Sequence, residues 1–291
     1  TYELGNATPL TSPFLLSNRA SEAALVPPLI DAGVQEGSDG DAAFILVQNF
    51  TSTECVAGER LARLGFAPVG LPPTAIVDLP YGSFDEYLGA MRSQYRRRAH
   101  QTFNRSASLR VERRQQFGDL ADDLARLWKA IYDRARELKR EVLTPAFFRA
   151  ASTVEGTEVL LMRRANGTIA SFALLLADRP WLAFLQCGFE STAGRSEGAY
   201  FRLLYEIIRY AIDRGFEQVD LGITTLAPKL DVGAVPIPLI GWLRHRNRLI
   251  QRVILALADG PLRPPRLEPR RVFKEPPPPA ATIIARRGLP S

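Results

Sequence analysis

A short loop of small residues lies directly before a strongly patterned helix, and this loop is the part of the sequence best suited to bind phosphate. The loop spans residues 191–199, STAGRSEGA, and the helix continues to residue 214. A helix N-terminus presents unpaired backbone N–H groups and the positive end of the helix dipole. Glycine lets a ligand approach the backbone closely. The residues predicted to bind such a ligand are Gly194, Arg195, Ser196, Gly198, Ala199 and Tyr200.

The loop does not match the two common nucleotide-binding patterns. It lacks the Gly-Lys-Ser/Thr ending of a Walker loop, and it is not the glycine fingerprint of dinucleotide-binding proteins. A glycine-containing turn before a helix is also often no more than a turn. The loop alone therefore leaves both a phosphate site and a simple turn open.

Histidine and cysteine are scarce, which argues against zinc chemistry and against a covalent cysteine intermediate. The chain has two cysteines, Cys55 and Cys187, and two histidines, His100 and His245. Their positions fit neither metal-ligand spacing nor a Cys-His signature of nucleophilic catalysis. We therefore expect no metal cofactor and no disulfide framework, as in a cytoplasmic protein.

The composition is that of a globular protein with a locally concentrated positive charge. Hydrophobic residues make up 46% and charged residues 23% of the 291 residues, which excludes collagen-like and disordered classes. No apolar run is long enough to span a membrane. The net charge of +6 comes largely from arginine clusters at residues 92–114 and 244–252. Such clusters attract phosphate-rich cofactors or RNA, although a solvated helix face is the structural alternative.

Apolar runs predict the strands that position the loop. Asn166 and Gly167 separate two of these runs and are the strongest short hairpin signal, so three successive strands are expected to form an antiparallel meander. The predicted strands cover residues 43–50, 75–79, 159–163, 169–176, 181–188 and 218–223.

Capping residues and helical periodicity predict the helices. Ser83 with Glu86 forms a capping box, and Thr144 with Pro145 provides a second helix start. Before residue 42, only residues 20–30 are expected to be ordered, and a proline-rich basic arm is expected beyond residue 257. The other predicted helices cover residues 55–64, 117–139 and 199–214.

The order of these elements resembles the GNAT superfamily of acyltransferases over about residues 75–242. The loop and its helix resemble the acyl-CoA pyrophosphate motif of that superfamily. The nearest likeness is to the FemAB-like, peptidoglycan-bridge branch, where a Tyr-Ala and Gly phrase at a helix end precedes an Asp-Gly strand. Here that phrase is carried by Tyr210, Ala211 and Gly215.

Two further phrases are similar to the same branch. Residues 83–88 followed by arginines resemble its entry helix, and Lys229 followed by Gly233 resembles its lysine-containing segment. The resemblance implies an α/β fold of the α+β type, with a mixed, mainly antiparallel sheet flanked by helices. It also implies a GNAT-like core over residues 116–258, preceded by a smaller, partial GNAT-like portion over residues 1–115 and followed by the arm over residues 259–291.

The resemblance further implies an N-acyltransferase that moves an acyl group from acyl-CoA directly to an amine or amino-acid acceptor. Amine acylation needs a base, oxyanion stabilisation and an acid for the leaving group. Glu190, at the end of the central strand, is the expected base. Asp220 lies in an apolar strand and should be partnered or face the cleft. Lys229 is expected to stabilise negative charge or hold an acceptor carboxylate, and Tyr205 to protonate the leaving group.

Other donors and one other class of function stay open. The loop departs from the usual phosphate-loop form of the superfamily, so aminoacyl-tRNA and acyl carrier protein are alternative donors. Both would suit the arginine clusters, because tRNA and carrier proteins are acidic. An RNA-binding or scaffold protein that keeps the fold without catalysis is the alternative from a different class.

Overall fold

A single nine-stranded sheet runs through the described part of the chain, which in this computed structural model covers residues 2–4, 22–40, 42–50, 56–134, 142–190, 198–258 and 269–275. The strand order is β1-β2-β9-β3-β8-β7-β6-β5-β4, and the neighbours are antiparallel except for β1–β2 and β7–β8. The predicted mixed, mainly antiparallel sheet is confirmed. The strands are β1 (Tyr2–Leu4), β2 (Phe44–Phe50), β3 (Ala67–Asp78), β4 (Arg110–Arg114), β5 (Thr157–Arg163), β6 (Ile169–Asp178), β7 (Trp181–Phe189), β8 (Gln218–Asp220) and β9 (Val235–His245).

Helices cover the sheet because its strands are apolar on both faces. In β5 and β6, alternate residues belong to two different cores, as the two-residue period of a strand requires. One core contains residues of α3, α4 and α7, the other contains α5 and α6, and a third core joins α1 and α2 to β2. The helices are α1 (Glu22–Asp39), α2 (Val56–Arg63), α3 (Phe84–Ala90), α4 (Ser93–Arg105), α5 (Ala121–Tyr132), α6 (Pro145–Ala151), α7 (Ala199–Asp213), α8 (Leu226–Asp231) and α9 (Arg248–Ala258).

The predicted capping box at the start of α3 is present. Ser83 is the N-cap, and its hydroxyl accepts a hydrogen bond from the Glu86 backbone N–H at 3.2 Å. The Glu86 carboxylate reaches back to the Gly82 N–H at 2.9 Å, one residue before the cap. Local sequence therefore determines this helix start.

The prediction for the strand at residues 75–79 was too short, because β3 begins at Ala67. Pro72 and Pro73 hid the first half of this strand, since proline cannot donate to a ladder. In the structure the two prolines lie between the pairs Leu71–Leu239 and Thr74–Ile237, where the register shifts. A β-bulge thus places the prolines where no ladder hydrogen bond is needed.

The limits of helices α1 and α5 also differ from the prediction. The helix predicted over residues 117–139 starts with the short 3-10 turn Gly118–Leu120, and α5 ends at Tyr132. Residues 135–139 lie outside the described part of the chain. At the N-terminal side, α1 extends to Asp39 instead of ending near residue 30. The divisions predicted at residues 115 and 258 stay a prediction, and the sheet is continuous across the first of them.

Close packing of α5 against β7 depends on one glycine. A Cβ added at Gly188 would overlap the Phe172 ring and would come within 2.7 Å of the backbone carbon of Leu127 and the backbone nitrogen of Trp128. Trp128 also donates its indole N–H to Gln186 of β7 at 3.0 Å. Backbone atoms cannot move aside as a side chain can, so this position tolerates no larger residue.

We predict that Gly188→Ala lowers the free energy of unfolding by about 1–3 kcal/mol through overpacking. Gly89→Ala is the matched control, because nothing lies within 4 Å of the added Cβ in α3. An exposed helical glycine replaced by alanine should gain about 0.5–1 kcal/mol. Urea unfolding of both variants measures the difference, and equal stability of the two would contradict the packing described for Gly188.

Candidate active site at the open edge of strand β7

Strand β7 is paired along its full length on one side only. On the β6 side, pairing continues to Ser171–Phe189. On the β8 side, it is limited to the three residue pairs Trp181–Gln218, Leu182–Val219 and Ala183–Asp220. Among the described strands, residues 184–189 therefore have a neighbour on the β6 side alone. Their backbone N–H and C=O groups on the other side form an open edge within the sheet.

A β-bulge lies where the two parallel strands part. Gln186 pairs with Leu174 and Phe184 pairs with Leu175, so Leu185 is an extra residue in β7. A bulge bends its strand and increases the local twist. The bend coincides with the end of β8 pairing at Ala183, and the sheet opens there.

Asp220, the last residue of β8, is a buried carboxylate held by two hydrogen bonds. Only 3% of its surface is exposed. Its Oδ1 accepts the Thr74 hydroxyl at 2.6 Å and the Gly222 backbone N–H at 2.8 Å. Asp220 is thus buried and partnered, as expected for a carboxylate in an apolar strand. Its catalytic role stays a prediction.

Lys229 of α8 is buried beside the same turn. Its side chain is 2% exposed, and Nζ donates to the Gly222 carbonyl oxygen at 3.0 Å. Gly222 has a φ of 78°, which allows the chain to turn between the two polar groups. Asp220 and Lys229, predicted separately as site residues, therefore meet at one turn.

Cys187 and Tyr200 lie within electrostatic reach of this turn. Burial raises the pKa of the Cys187 thiol to about 11, while the charge of Lys229 acts in the opposite direction. Burial raises the pKa of Tyr200 as well, and the nearby Cys187 adds to this effect. Cys187 belongs to the open edge of β7 and Tyr200 to the first turn of α7. The lysine, the open strand edge and the helix start thus share one region.

Gly198 provides the N-terminus of α7, and an arginine lies next to it. Gly198 has a φ of 62°, a left-handed conformation suited to glycine. A Cβ at this position would lie 3.8 Å from Cδ of Arg105, the last residue of α4. Ala199 is fully buried behind it. Gly194, Arg195 and Ser196 fall outside the described residues.

No pattern in the sequence distinguishes Arg105 from the other arginines of the first cluster. Its proximity to Gly198 results from the packing of α4 on α7. Arg105 forms no ion pair with any described residue and its side chain is exposed. A guanidinium beside a helix N-terminus strengthens the positive potential there.

Glu190 lies one residue beyond β7 and is held by arginines. Its Oε2 accepts a hydrogen bond from Arg164 at 2.8 Å, and Oε1 lies 4.0 Å from Arg126. About a third of the side chain is exposed. The ion pairs orient the carboxylate at the carboxyl end of the open edge.

Tyr205 is placed among the rings that join α7 to α3 and α4. Its ring centroid is 5.8 Å from that of Phe103 and 6.5 Å from that of Phe84. Burial is the main reason that the pKa of its phenol is raised. The same interface contains Arg209, which lies over both phenylalanine rings. Tyr205 therefore lies in a packed interface between helices, and its role as an acid stays a prediction.

Residues 269–275 of the C-terminal arm pack against the segment that follows Lys229. Phe273 is buried, and its ring contacts Gly233, where an added Cβ would lie 2.5 Å from ring carbons. Tyr87 donates its hydroxyl to the Val232 carbonyl at 2.6 Å, and Arg270 is ion-paired with Asp231 at the end of α8. These contacts fix the end of α8 and with it the position of Lys229.

The described residues contain no group of three or more His, Cys, Asp or Glu side chains that could hold a metal ion. In the same part of the chain, no helix has the length and apolar character needed to cross a membrane.

The family model for the acetyltransferase (GNAT) domain matches residues 89–228, which contain α4, the open edge of β7 and the start of α8. Two strains of Mycobacterium tuberculosis have a relative described as a putative 8-amino-7-oxononanoate synthase 2, which is 28% identical over 264 residues. The match covers 87% of this chain but 34% of that relative. The chain thus spans about a third of the length of the curated relatives it matches.

Solved structures share the fold at low sequence identity. The C-terminal domain of a putative lysylphosphatidylglycerol synthetase from Agrobacterium fabrum has a TM-score of 0.55 at 17% identity, over 81% of this chain and 77% of that one. FemX has a TM-score of 0.52 at 15% identity, over 80% and 79% of the two chains. L-PGS from Bacillus licheniformis also has a TM-score of 0.52, at 11% identity, over 80% and 77%. The predicted resemblance to the GNAT superfamily and its FemAB-like branch is confirmed at the level of domain and fold.

We predict that Cys187 is alkylated slowly by iodoacetamide near neutral pH. With a pKa of about 11, roughly 0.1% of the thiol is ionised at pH 8. The rate should therefore rise about tenfold per pH unit up to pH 10, because the thiolate is the reactive form. Peptide mass spectrometry follows the Cys187 peptide, and the urea-unfolded chain is the control. A plateau below pH 9 in the folded protein would contradict a raised pKa for the Cys187 thiol.

Proposed function

We propose that this chain, an acyltransferase with a GNAT domain, transfers an acyl or aminoacyl group directly from an activated carrier to an amine at the open edge of β7. The observation that carries the proposal is the juxtaposition of three features. Among the described strands, residues 184–189 have no partner on the β8 side. Buried Lys229 lies within electrostatic reach of Cys187 in this edge, and Tyr200 in the first turn of α7 lies within reach of the same cysteine. The donor, the acceptor and the direct route are parts of this proposal.

Acyl-CoA is the donor that this geometry suits best. Its extended arm contains amide groups, which can pair with free backbone groups of β7 as an added strand would. Its phosphates would then lie toward Gly198 and Arg105, where helix N–H groups and a guanidinium favour anions. The proposed donor contacts are those predicted from the sequence, Gly194, Arg195, Ser196, Gly198, Ala199 and Tyr200, together with Arg105.

Two other carriers fit the same chemistry and are separated by experiment. Aminoacyl-tRNA and acyl carrier protein both present an activated acyl group on an acidic macromolecule. Arg97 and Arg98 are exposed on the same helix α4 about two turns before Arg105, and they would give either of them a docking surface. We place the reaction in the cytoplasm, because all three donors are made there.

The attacking amine must be neutral and must lose a proton as the new C–N bond forms. Glu190 lies at the carboxyl end of the open edge. Its Oε1 is 4.0 Å from a guanidinium nitrogen of Arg126, whereas Oε2 is bound by Arg164 at 2.8 Å. We assign proton acceptance to Oε1, directly or through water. Glu190 then acts as a general base.

Negative charge develops on the acyl oxygen in the transition state, and Lys229 is the buried cation that can stabilise it. A cation fixed in a buried site acts more strongly than one in water, because little solvent screens it. Asp220 orients the Gly222 turn, and the carbonyl of Gly222 accepts a hydrogen bond from Lys229. When the C–N bond is complete, the carrier leaves as a thiol that takes up a proton. Tyr205 stays the predicted acid.

The first experiment tests donor binding by thermal shift with CoA and acetyl-CoA. A ligand present at about 100 times its Kd stabilises the folded state by about 2.7 kcal/mol. We predict that Gly198→Asp abolishes this shift by placing a carboxylate against the phosphates, whereas Gly198→Asn retains most of it. Both side chains tolerate the left-handed conformation and have nearly the same size, so the pair isolates charge. Equal loss in the two variants would contradict phosphate binding at Gly198.

A shift produced by tRNA or by acyl carrier protein but not by CoA would identify one of the alternative donors. Salt-dependent RNA binding without any acyl-carrier response would instead favour an RNA-binding protein that does not use acyl donors.

The second experiment tests Lys229 in catalysis. We predict that Lys229→Met lowers kcat by about 10²–10³-fold while the donor-induced thermal shift remains, because the lysine acts on charge that develops in the transition state. Lys129→Met is the control, since Lys129 is an exposed lysine paired with Asp133. The measurement is thiol release from acetyl-CoA with a panel of amines, and the unfolding curve of each variant is recorded in parallel. An unchanged kcat in Lys229→Met would remove the lysine from the mechanism.

A further inference from the structure

Helix α9 exposes an unusual amount of apolar surface. Eight large apolar side chains of the described residues are classed as exposed, and five of them lie in this one helix of 11 residues. Leu249, Val253 and Leu257 are spaced four apart, so they share one face, with exposed fractions of 69%, 58% and 41%. Single exposed apolar residues are normal, but a contiguous apolar stripe indicates an interaction surface.

The helix is firmly attached through its opposite side. Ile254 is buried and packs in a cluster with Ala67 of β3. Gln251 donates its side-chain N–H to the Gly65 carbonyl at 2.7 Å and accepts the His245 N–H at 2.7 Å. The orientation of α9 is therefore set by the fold, and its apolar stripe faces away from these contacts.

Arginines accompany the stripe, and the helix itself contains no acidic residue. Residues 232–258 contain no Asp or Glu. Arg248 and Arg252 each precede a stripe residue, so they line its flank, and Arg246 lies just before the helix. All three are exposed and form no ion pair with a described residue. An aliphatic stripe bordered by exposed guanidinium groups is suited to a partner that offers both hydrocarbon and negative charge.

We propose that α9 docks this protein onto a membrane surface that contains anionic lipid. A helix with Leu, Ile and Val on one face and arginine beside them lies in the plane of the interface, with its apolar side chains among the acyl chains. The arginines reach the lipid phosphates while their alkyl arms stay on apolar surface. Each arginine near an anionic surface contributes attraction in addition to the apolar burial.

The composition of the stripe distinguishes a lipid surface from RNA. Single-stranded RNA is bound by stacking its bases on aromatic or arginine side chains, and double-stranded RNA by contacts to phosphates and 2′-hydroxyls. The exposed face of α9 contains no aromatic residue, and neither form of RNA would bury three branched aliphatic side chains. The second arginine cluster thus has a partner different from that proposed for Arg105.

The test is flotation of the full chain with vesicles of phosphatidylcholine alone and with equimolar phosphatidylglycerol. We expect binding to the anionic vesicles only. The triple variant Leu249→Ser, Val253→Ser, Leu257→Ser and the double variant Arg248→Gln, Arg252→Gln should each lower the partition coefficient by at least about tenfold. Added salt should weaken the wild type and affect the double variant less.

A matched control removes the same kinds of side chain elsewhere. Val154→Ser combined with Arg134→Gln deletes an exposed valine and an exposed arginine far from α9 in sequence and should leave vesicle binding unchanged. Thermal unfolding shows that every variant is folded. Absence of vesicle binding, or binding that the α9 variants do not alter, would overturn the proposal. A change from dimer to monomer in the triple variant, measured by light scattering without lipid, would overturn it too, since a second copy would then cover the stripe.

Discussion

The buried carboxylate of Asp220 is the group on which the geometry of the open edge depends. A carboxylate inside a protein must be matched by donors, because an unpaired one is strongly unfavourable. Thr74 donates from β3 and Gly222 donates from the turn that ends β8. These hydrogen bonds lie where β8 ends after three residues and the chain turns away from β7. The Gly222 carbonyl then receives Lys229, so one turn places an anion and a cation beside the gap.

The gap is a property of packing and does not need flexibility to form. On the other side of the sheet, α5 approaches β7 so closely that only glycine fits at Gly188. The bulge at Leu185 bends the same strand where its pairing with β8 stops. Strand β7 is thus held by α5 and β6 while β8 is held by β3. The two strands therefore separate beyond Ala183, and this part of β7 presents backbone groups of the kind that pair with an extended ligand.

Arginines in this protein have structural and surface roles that composition does not separate. Arg202 and Arg209 both bind the buried carboxylate of Glu206 and lie over the Phe103 ring, which fixes α7 against α4. Arg113 lies over the Tyr210 ring from the edge strand β4. Arg105, at the end of the same helix α4, lies beside Gly198 and is exposed. Some arginines thus orient the helices at buried interfaces, and others lie on surfaces that can meet an anionic ligand.

The sequence by itself determined the local features: the capping box at Ser83, the meander of β5 to β7, the helix that follows Gly198, and from these the family resemblance and the class of enzyme. These follow from hydrogen bonds and periodicity within a few residues. It did not show β4 or β9, whose arginines and prolines mask a strand pattern, or the first half of β3, where a bulge accommodates Pro72 and Pro73. Only the tertiary structure joined Thr74 to Asp220, 146 residues apart, and brought Arg105 to Gly198. Such contacts arise where separate elements pack. Local patterns in the sequence do not show which distant residues will meet.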